Sequence, residues 1–279
     1  MSISSPQRPV TTGRDRKEPL ALGSTEKHAA ELAATRAGDI GRVHSWELVT
    51  AVDGPGTRLT LFLSGCPLRC QYCHNPDTWK LRDGEQHTVD EVMERIGRYT
   101  GVLKAMHGGV TISGGEPLLQ SAFVAKILRR CKKLGLHTAL DTSGYLGARV
   151  TDAMLEDIDL VLLDVKSGVA DTYREVTGRE LAPTLRFGRR LAERGTPIWT
   201  RFVLVPGLTD APANVDAVAD YVASLSSVER VEVLPFHQMG RDKWRALDQP
   251  YQLETTRPPS PEQVERVREQ FRDRGLTVY

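Results

Sequence analysis

Apolar stretches of strand length alternate with amphipathic stretches of helix length along most of this chain. The stretches LTLFLSG (59–65) and DLVLLDVK (159–166) are apolar almost throughout, as strands buried on both faces are. Six such strand–helix units follow one another, which predicts an α/β fold with a parallel sheet covered by helices. A closed eight-unit barrel needs about 250 residues and two more units. An open barrel and a doubly wound sheet both fit, and periodicity does not choose between them.

The pattern places the elements and a boundary near residue 40. Predicted strands cover 59–65, 109–115, 136–144, 159–166, 197–207 and 228–237, with a last short strand at 276–279. Predicted helices cover 88–103, 118–135, 151–158, 182–195, 211–225 and 260–275, the last with Ser260 as its N-cap. Residues 1–39 are polar, and we expect a flexible N-terminal arm there with a short helical stretch at 24–38. Residues 40–279 form the predicted catalytic domain.

Three cysteines, Cys66, Cys70 and Cys73, have the spacing C-x3-C-x2-C after the first of these strands. An iron–sulfur cluster held by four cysteines has no free position, whereas one held by three keeps an iron open for a substrate. Zinc is the alternative, but it needs four ligands. His74 is adjacent in sequence to Cys73, and Cys131 is remote, in a predicted helix, where we expect a buried free thiol. The spacing favours a [4Fe–4S] cluster, and a structural zinc site stays open at this point.

Composition excludes several classes of partner. The net charge is +1, which gives no reason to expect nucleic acid or an anionic membrane surface. No apolar run approaches the roughly 20 residues of a transmembrane helix, and the N-terminus has no apolar core of a signal peptide. We therefore expect a cytoplasmic protein whose thiols stay reduced.

Polar or glycine-rich groups follow every one of the six predicted strands. Parallel α/β folds place their sites at these carboxyl ends of strands. The groups are the cysteine loop, Ser113-Gly114-Gly115-Glu116-Pro117, Asp141-Thr142-Ser143-Gly144, the pair Asp164 and Lys166, Arg201, and His237. Taken one at a time, they could also be a plain turn, a structural salt bridge or a structural histidine. Their occurrence after successive strands favours one shared site.

The motifs together resemble those of the pyruvate formate-lyase activating enzymes, a branch of the radical S-adenosylmethionine (SAM) superfamily. The similar stretches are VDGPGTRLTLFLSGCPLRCQYCHNPDTW, VTISGGEPLL, LDTSGY, LVLLDVK, RFVLVPG and LPFHQMGRDKW, in the family's order. The similarity runs from about Gly41 to the C-terminus. It implies an open (β/α)6 partial TIM barrel of the radical SAM type.

The resemblance also implies roles for particular residues. Cys66, Cys70 and Cys73 would hold the [4Fe–4S] cluster, and Asp53 of the DGPG turn would lie near the substrate glycine. Candidate SAM-binding residues are Tyr72, Cys73, His74, Gly115, Glu116, Asp164, Val165, Lys166, Arg201 and His237. Asp141, Thr142 and Asp164 match positions that hold a monovalent cation in this family.

The activity that the resemblance implies is activation of pyruvate formate-lyase. SAM is cleaved reductively, and the resulting 5′-deoxyadenosyl radical abstracts an α-hydrogen from a glycine of that lyase. The expected partners are the lyase and a low-potential electron donor such as flavodoxin or ferredoxin, and we expect a monomer. Some relatives in this family carry cysteine-rich inserts and activate other glycyl radical enzymes, whereas no cysteine lies between Cys73 and Cys131 here. The alternatives are a different glycyl radical enzyme as substrate, or a structural zinc-binding adaptor.

Overall fold

The computed structural model describes residues 22–50 and 53–279. Its strands are β1 Ile40–Thr50, β2 Thr57–Leu63, β3 Glu85–Thr88, β4 Gly109–Gly114, β5 His137–Thr142, β6 Leu160–Asp164, β7 Ile198–Leu204 and β8 Val228–Pro235. Its α-helices are α1 Leu22–Ala37, α2 Val89–Ala105, α3 Ser121–Lys133, α4 Asp152–Leu155, α5 Ala170–Thr177, α6 Ala182–Glu193, α7 Pro212–Ala223, α8 Arg241–Ala246 and α9 Pro261–Arg272. No helix in these two ranges is long and apolar enough to cross a membrane.

All the strands belong to one sheet with the order β3-β1-β2-β4-β5-β6-β7-β8. Strands β2, β4, β5, β6, β7 and β8 are parallel, and β1 pairs antiparallel with both β2 and β3. The parallel strands follow chain order without a reversal, whereas a doubly wound sheet needs a reversal point. With right-handed crossovers, this order places the helices on one side of the sheet. The expected open (β/α)6 barrel is therefore confirmed.

Helix ends follow the local signals in the sequence. Thr88 caps α2, and its hydroxyl accepts from the backbone N–H of Glu91 at 3.2 Å. Ser260 caps α9 in the same way through Gln263 at 3.3 Å, as predicted. Helix α3 ends just before Gly135, whose φ of +67° is in the left-handed region that glycine favours. The two N-caps fix where α2 and α9 begin, and Gly135 ends α3 in time for the chain to enter β5.

The sequence prediction omitted the antiparallel strands β1 and β3. In β1 the register shifts between Val43 and Ser45, and this bulge interrupts the alternation that would reveal a strand. The expected last strand at 276–279 makes only a single bridge, between Val231 and Val278. Helices α5, of 8 residues, and α8, of 6, were also not predicted, and the helix predicted at 151–158 is observed only over the 4 residues of α4.

Helix α1 lies within the predicted arm. None of the side chains at 26–37 is buried, so the helix adds nothing to the core. It is attached where Gly38 meets α3, since a Cβ at Gly38 would lie 2.4 Å from the carbonyl carbon of Ala122. Glu31 also pairs with Arg42 at 3.1 Å. Residues 1–21 lie outside the described residues, and the prediction of a flexible arm stays a prediction.

Candidate active site

A cavity of about 510 Å³ opens at the carboxyl ends of the parallel strands. Most of the predicted site residues line it, although they come from every part of the barrel. They are Asp53, Cys66, Cys70, Tyr72, Cys73, His74, Gly115, Asp141, Thr142, Asp164, Lys166, Arg201 and His237. Two predicted SAM-binding residues, Glu116 and Val165, do not line it. The fold thus brings together side chains that the sequence places more than a hundred residues apart.

The cysteine loop is held in shape by its backbone. Cys66 N–H donates to the carbonyl of Trp79 at 3.1 Å, and Cys73 N–H donates to that of Cys70 at 3.1 Å. From outside, Arg69 N–H donates to the carbonyl of Thr177, at the end of α5, at 2.8 Å. All the cysteines are free thiols. The loop therefore presents its thiols to the cavity without help from a disulfide.

The three loop thiols share a buried environment. Burial raises the pKa of Cys70 to about 12 and also raises the pKa of Cys66 and Cys73. The raised pKa values favour the protonated thiols. A bound metal cation favours the thiolates instead, because it replaces the protons on the sulfur atoms. No three Cys, His, Asp or Glu side chains within the described ranges converge on a single ion. A cluster does not require such convergence, since each thiolate binds its own iron.

Cys131 lies elsewhere. It is in helix α3, is 0% exposed, and packs in the main hydrophobic core rather than on the cavity. Its position matches the expected small buried residue. Three thiols, and not four, therefore face the cavity.

The chain after β8 forms a strap over the cysteine loop. We use this term for residues 237–247, which include α8. The His237 and His74 rings stack with centroids 4.1 Å apart, and Trp244 Nε1 donates to the carbonyl of Cys73 at 2.8 Å. A Cβ on Gly240 would lie 2.8 Å from His74 Cα. Sequence reasoning found His237 but missed Gly240 and Trp244, although both lie in the motif LPFHQMGRDKW.

Lys166 and Asp164 form an ion pair inside the cavity. Lys166 Nζ lies 2.7 Å from Asp164 Oδ2, as expected for side chains two residues apart at a strand end. Burial opposes the charge of Lys166, but the attraction of Asp164 outweighs it and raises the pKa of Lys166. Lys166 Nζ also lies 5.7 Å from the ring centre of Tyr72, whose buried hydroxyl has no hydrogen-bond partner within the described ranges. A ligand with charged and hydrogen-bonding groups could pair with Lys166 and Asp164 and could bond to the Tyr72 hydroxyl.

An acidic cluster surrounds Arg201 on β7. The guanidinium contacts Asp53 at 3.2 Å, Asp141 at 3.3 Å and Glu232 at 3.1 Å. Burial raises the pKa of Asp141 to about 6, and repulsion from Asp164 and Asp53 adds to the effect against the attraction of Arg201. Asp53, Asp141 and Glu232 thus share the Arg201 guanidinium, and Glu232 also pairs with Arg230. Arg201 is occupied within the protein, and it positions the acids as much as it lines the cavity.

Glu116 ties two strand-end turns together. It is 1% exposed, and its carboxylate accepts from Thr142 Oγ1 at 2.6 Å and from Ser143 N–H at 3.0 Å. Next to it, a Cβ on Gly115 would lie 2.6 Å from the carbonyl oxygen of Gly65, so only glycine fits beside the cysteine loop. The motif Gly114-Gly115-Glu116 thus positions the cysteine loop and Thr142 relative to each other.

Comparison with known proteins leads to the family that the sequence motifs resemble. The model of the Radical SAM superfamily matches residues 60–217. Pyruvate formate-lyase 1-activating enzyme of Escherichia coli K12 is 41% identical over 231 residues, which are 82% of this chain and 94% of that protein. The pyruvate formate-lyase-activating enzyme of Staphylococcus epidermidis is 43% identical over 231 residues, 80% of this chain and 92% of that protein.

Solved structures agree on the fold. A domain of pyruvate-formate lyase-activating enzyme from Bacteroides vulgatus has a TM-score of 0.52 and 29% identity, covering 62% of this chain and 98% of that chain. A radical SAM methyltransferase from Sphaerobacter thermophilus has a TM-score of 0.60 and 16% identity, covering 91% of this chain and 80% of that chain. The second likeness shows the fold alone. On the sequence matches and the fold together, this chain belongs to the radical SAM superfamily and, within it, to the family of pyruvate formate-lyase activating enzymes.

Proposed function

We propose that this protein activates pyruvate formate-lyase by generating a glycyl radical in it. The observation that carries the proposal is the shared cavity, where three loop thiols meet polar groups from the successive strand ends. The match to activating enzymes over 94% of the Escherichia coli protein's length supports the same substrate. The function of those relatives needs a bound [4Fe–4S] cluster and SAM, and the donor set here fits both.

In this proposal Cys66, Cys70 and Cys73 would hold the cluster, whose remaining open position would be available to SAM. Once bound, the cluster and SAM together supply a 5′-deoxyadenosyl radical that takes a hydrogen atom from carbon. His74 and His237 stack at one side of the cavity, where with Tyr72 they would hold the adenine. Gly115, which lines the cavity and packs directly on the backbone of the cysteine loop, would contact the methionine part.

The remaining polar groups would bind the rest of SAM. Asp164 suits ribose hydroxyls and Lys166 suits a carboxylate, and their ion pair keeps both in place before SAM arrives. Glu116, Val165 and Arg201, which we predicted as SAM-binding residues, would act by holding strand ends and acids in position. We also propose that Asp141, Thr142 and Asp164 hold a monovalent cation, since the two carboxylates there suit a positive ion.

Selectivity must come from positioning, because a primary alkyl radical attacks many C–H bonds. A substrate glycine must lie within contact distance of the radical, and water must be excluded. Asp53 lies on the cavity wall and is fixed by Thr60 at 3.1 Å and Arg201 at 3.2 Å. We propose that it lies near the substrate glycine.

The proposal also covers the electron donor, the oligomeric state and the compartment of the protein. The reducing electron would come from a low-potential donor such as flavodoxin or ferredoxin, and the chain would act as a monomer. We propose the cytoplasm as its compartment, because free thiols and an oxygen-sensitive cluster need reducing conditions. Another glycyl radical enzyme as substrate is the alternative, but it is disfavoured because no cysteine lies between Cys73 and Cys131.

The test is radical formation in the lyase. The reconstituted protein is incubated anaerobically with SAM, a reductant and pyruvate formate-lyase, and electron spin resonance should show a doublet from one strongly coupled α-hydrogen. Deuterium on the target glycine should appear in 5′-deoxyadenosine. A lyase with that glycine changed to alanine is the matched control and should give neither signal. If SAM is cleaved but no radical or label transfer follows, this protein acts on another substrate.

A further inference from the structure

A second pocket, of about 430 Å³, lies on the exposed side of the cysteine loop. We call it the outer pocket. Its walls come from the loop and from the strap with the residues after it: Arg69, Gln71, Pro76, Trp79, Lys80, Asp83, Trp244, Leu247, Gln249, Pro250 and Gln252. The proposed chemistry uses none of these side chains. Among the residues that the structure describes, Trp79 alone borders both this pocket and the cavity of the three thiols.

The partition between the two spaces is thin and aromatic. The Trp79 and Trp244 rings meet edge to face with centroids 4.9 Å apart. Each is bonded to the backbone of a predicted cluster ligand: the Trp79 carbonyl accepts from Cys66 N–H at 3.1 Å, and Trp244 Nε1 donates to the Cys73 carbonyl at 2.8 Å. The outer pocket is therefore separated from the thiols by one indole ring and the loop backbone.

The rim of the outer pocket is positively charged. Arg69, which lines the pocket, stacks on Trp79 at 4.8 Å and donates to the carbonyl of Cys66 at 2.7 Å. Arg179 lies outside the lining and donates to the carbonyl of Pro67, in the same loop, at 2.7 Å. Neither arginine, nor Lys80, forms an ion pair with any residue in 22–50 or 53–279, and all three are exposed. The acid on the rim, Asp83, has Arg82 at 3.8 Å. The excess charge is local, because the whole chain carries only +1.

We propose that the outer pocket is the docking site for a small acidic electron-carrier protein. This inference rests on the proposed function, in which the cluster must be reduced before SAM can be cleaved. The carrier loses one electron and the cluster gains it, while no bond forms or breaks and no proton moves. Positive charge at the rim attracts the acidic carrier, and the apolar side chains of Trp79, Trp244 and Pro250 in the pocket accept the edge of its cofactor.

The test reverses charge at the rim. Lys80→Glu is the first variant, because the Lys80 side chain bonds to nothing within the described ranges, and Lys80→Glu with Arg179→Glu is the second. Reduced flavodoxin serves as the acidic carrier. At low salt, we expect its dissociation constant to rise, and the rate of cluster reduction to fall, by roughly five-fold for each reversed charge. Added salt should reduce the differences in dissociation constant and in reduction rate between the variants and the parent.

Two controls make the result specific. Dithionite, a small anionic reductant that needs no docking site, should reduce every variant at the parental rate once added salt screens its charge. Lys133→Glu makes the same charge change at the far end of α3 and should bind flavodoxin as the parent does. If flavodoxin binds Lys80→Glu as tightly as the parent, or if Lys133→Glu weakens binding equally, the docking site is not the outer pocket.

The results that would contradict the proposed function differ from those that would contradict the docking site. A protein that takes no cluster can still be titrated with flavodoxin, so the dissociation constants test docking without any chemistry. A parent that flavodoxin reduces but that forms no glycyl radical would contradict the proposed substrate and leave the docking site standing.

Discussion

At the residue scale, the three loop cysteines and Cys131 make a matched experiment within one chain. Changing Cys66, Cys70 or Cys73 to alanine should abolish the visible iron–sulfur absorption and all SAM cleavage, since each thiolate binds one iron. Cys131→Ala should keep both, because its side chain packs in the core and only roughly 1–2 kcal/mol of stability is lost. If Cys131→Ala loses the cluster while a loop cysteine proves dispensable, the ligand assignment is wrong.

Lys166 gives a second test at this scale. Lys166→Ala removes the ammonium that we assign to the SAM carboxylate, and a charge-assisted bond contributes about 1.5–3 kcal/mol. Titration of SAM into the reconstituted variant should show affinity lowered by at least about ten-fold, with the cluster spectrum unchanged. Lys126→Ala, which removes an exposed partner of Asp39, is the control and should bind SAM normally. Unchanged affinity in Lys166→Ala would reduce this lysine to a structural role.

Sequence reasoning located individual site residues where a motif follows a strand. Cys66, Gly115 and Asp164 were found in this way, and all three line the cavity. Trp79 and Trp244 were not found, because an aromatic residue in a loop looks the same in sequence whether it packs in a core or beside a site. Glu116 was found, but its hydrogen bonds to Thr142 and Ser143 depend on two turns meeting in space. Sequence spacing does not encode that meeting.

At the element scale, the contact between the strap and the cysteine loop is close enough to test with one methyl group. Gly240 has φ −80°, which any residue adopts, so the objection to a side chain is purely steric. In Gly240→Ala the new Cβ would lie 2.8 Å from His74 Cα and 2.9 Å from the carbonyl oxygen of Cys73. We expect a loss of about 1–3 kcal/mol in the free energy of unfolding and a cluster that chelators remove faster.

The matched control for Gly240→Ala lies in helix α2. A Cβ on Gly97 would meet nothing within 4 Å, and alanine is the better helix former there. Gly97→Ala should therefore raise stability by about 0.5–1 kcal/mol without changing the cluster. If the two variants behave alike, the strap does not hold the cysteine loop.

Helix α1 carries the element-scale prediction for the N-terminus. Deleting residues 1–38 should leave reductive SAM cleavage unchanged, because none of the side chains at 26–37 is buried. The lost pair between Glu31 and Arg42 is partly exposed and is worth about 1 kcal/mol at most. Cleavage is measured as 5′-deoxyadenosine formed per protein. A truncated protein that folds but does not bind SAM would show that the arm belongs to the catalytic domain.

At the scale of the whole molecule, the strand order decides between the two architectures that the sequence left open. Both use the same apolar strands and amphipathic helices, and they differ only in which strands become neighbours. Periodicity shows whether a strand is buried but not which strands lie next to it. The choice between the open barrel and the doubly wound sheet therefore came from the family's motifs. Strands β1 and β3 extend the sheet beyond the six repeated units, where the repeat gives no information.

At the end of the barrel opposite the site, we expect His137 to make the stability of the protein depend on pH. There His137 Nδ1 lies 3.1 Å from Nη1 of the buried Arg58, and burial together with this guanidinium lowers the pKa of His137. The unfolded chain takes up the proton near its ordinary pKa of about 6.5, before the native protein does. The contribution of neutral His137 is therefore complete above pH of about 6.5 and is lost as the pH falls below it.

Denaturant unfolding of His137→Gln and of the parent, measured from pH 7.5 down to pH of about 5.5, checks this sign. The difference in stability between them should shrink as the pH falls, since only the parent loses this contribution. The exposed His28, changed to glutamine, is the control, and its difference from the parent should not depend on pH. A difference that grows on acidification would mean that Arg58 does not keep His137 neutral.

The position of the strap in the chain has a consequence for maturation. The cysteine loop is made early, whereas Gly240 and Trp244, which cover it, leave the ribosome some 170 residues later. Because synthesis runs from the N-terminus, the loop exists for a time without its cover. Iron delivered during that interval can approach from either side of the loop, whereas iron delivered to the folded protein enters through the cavity that the thiols face. The order of synthesis thus leaves a period in which the three thiols are more widely accessible than in the folded protein.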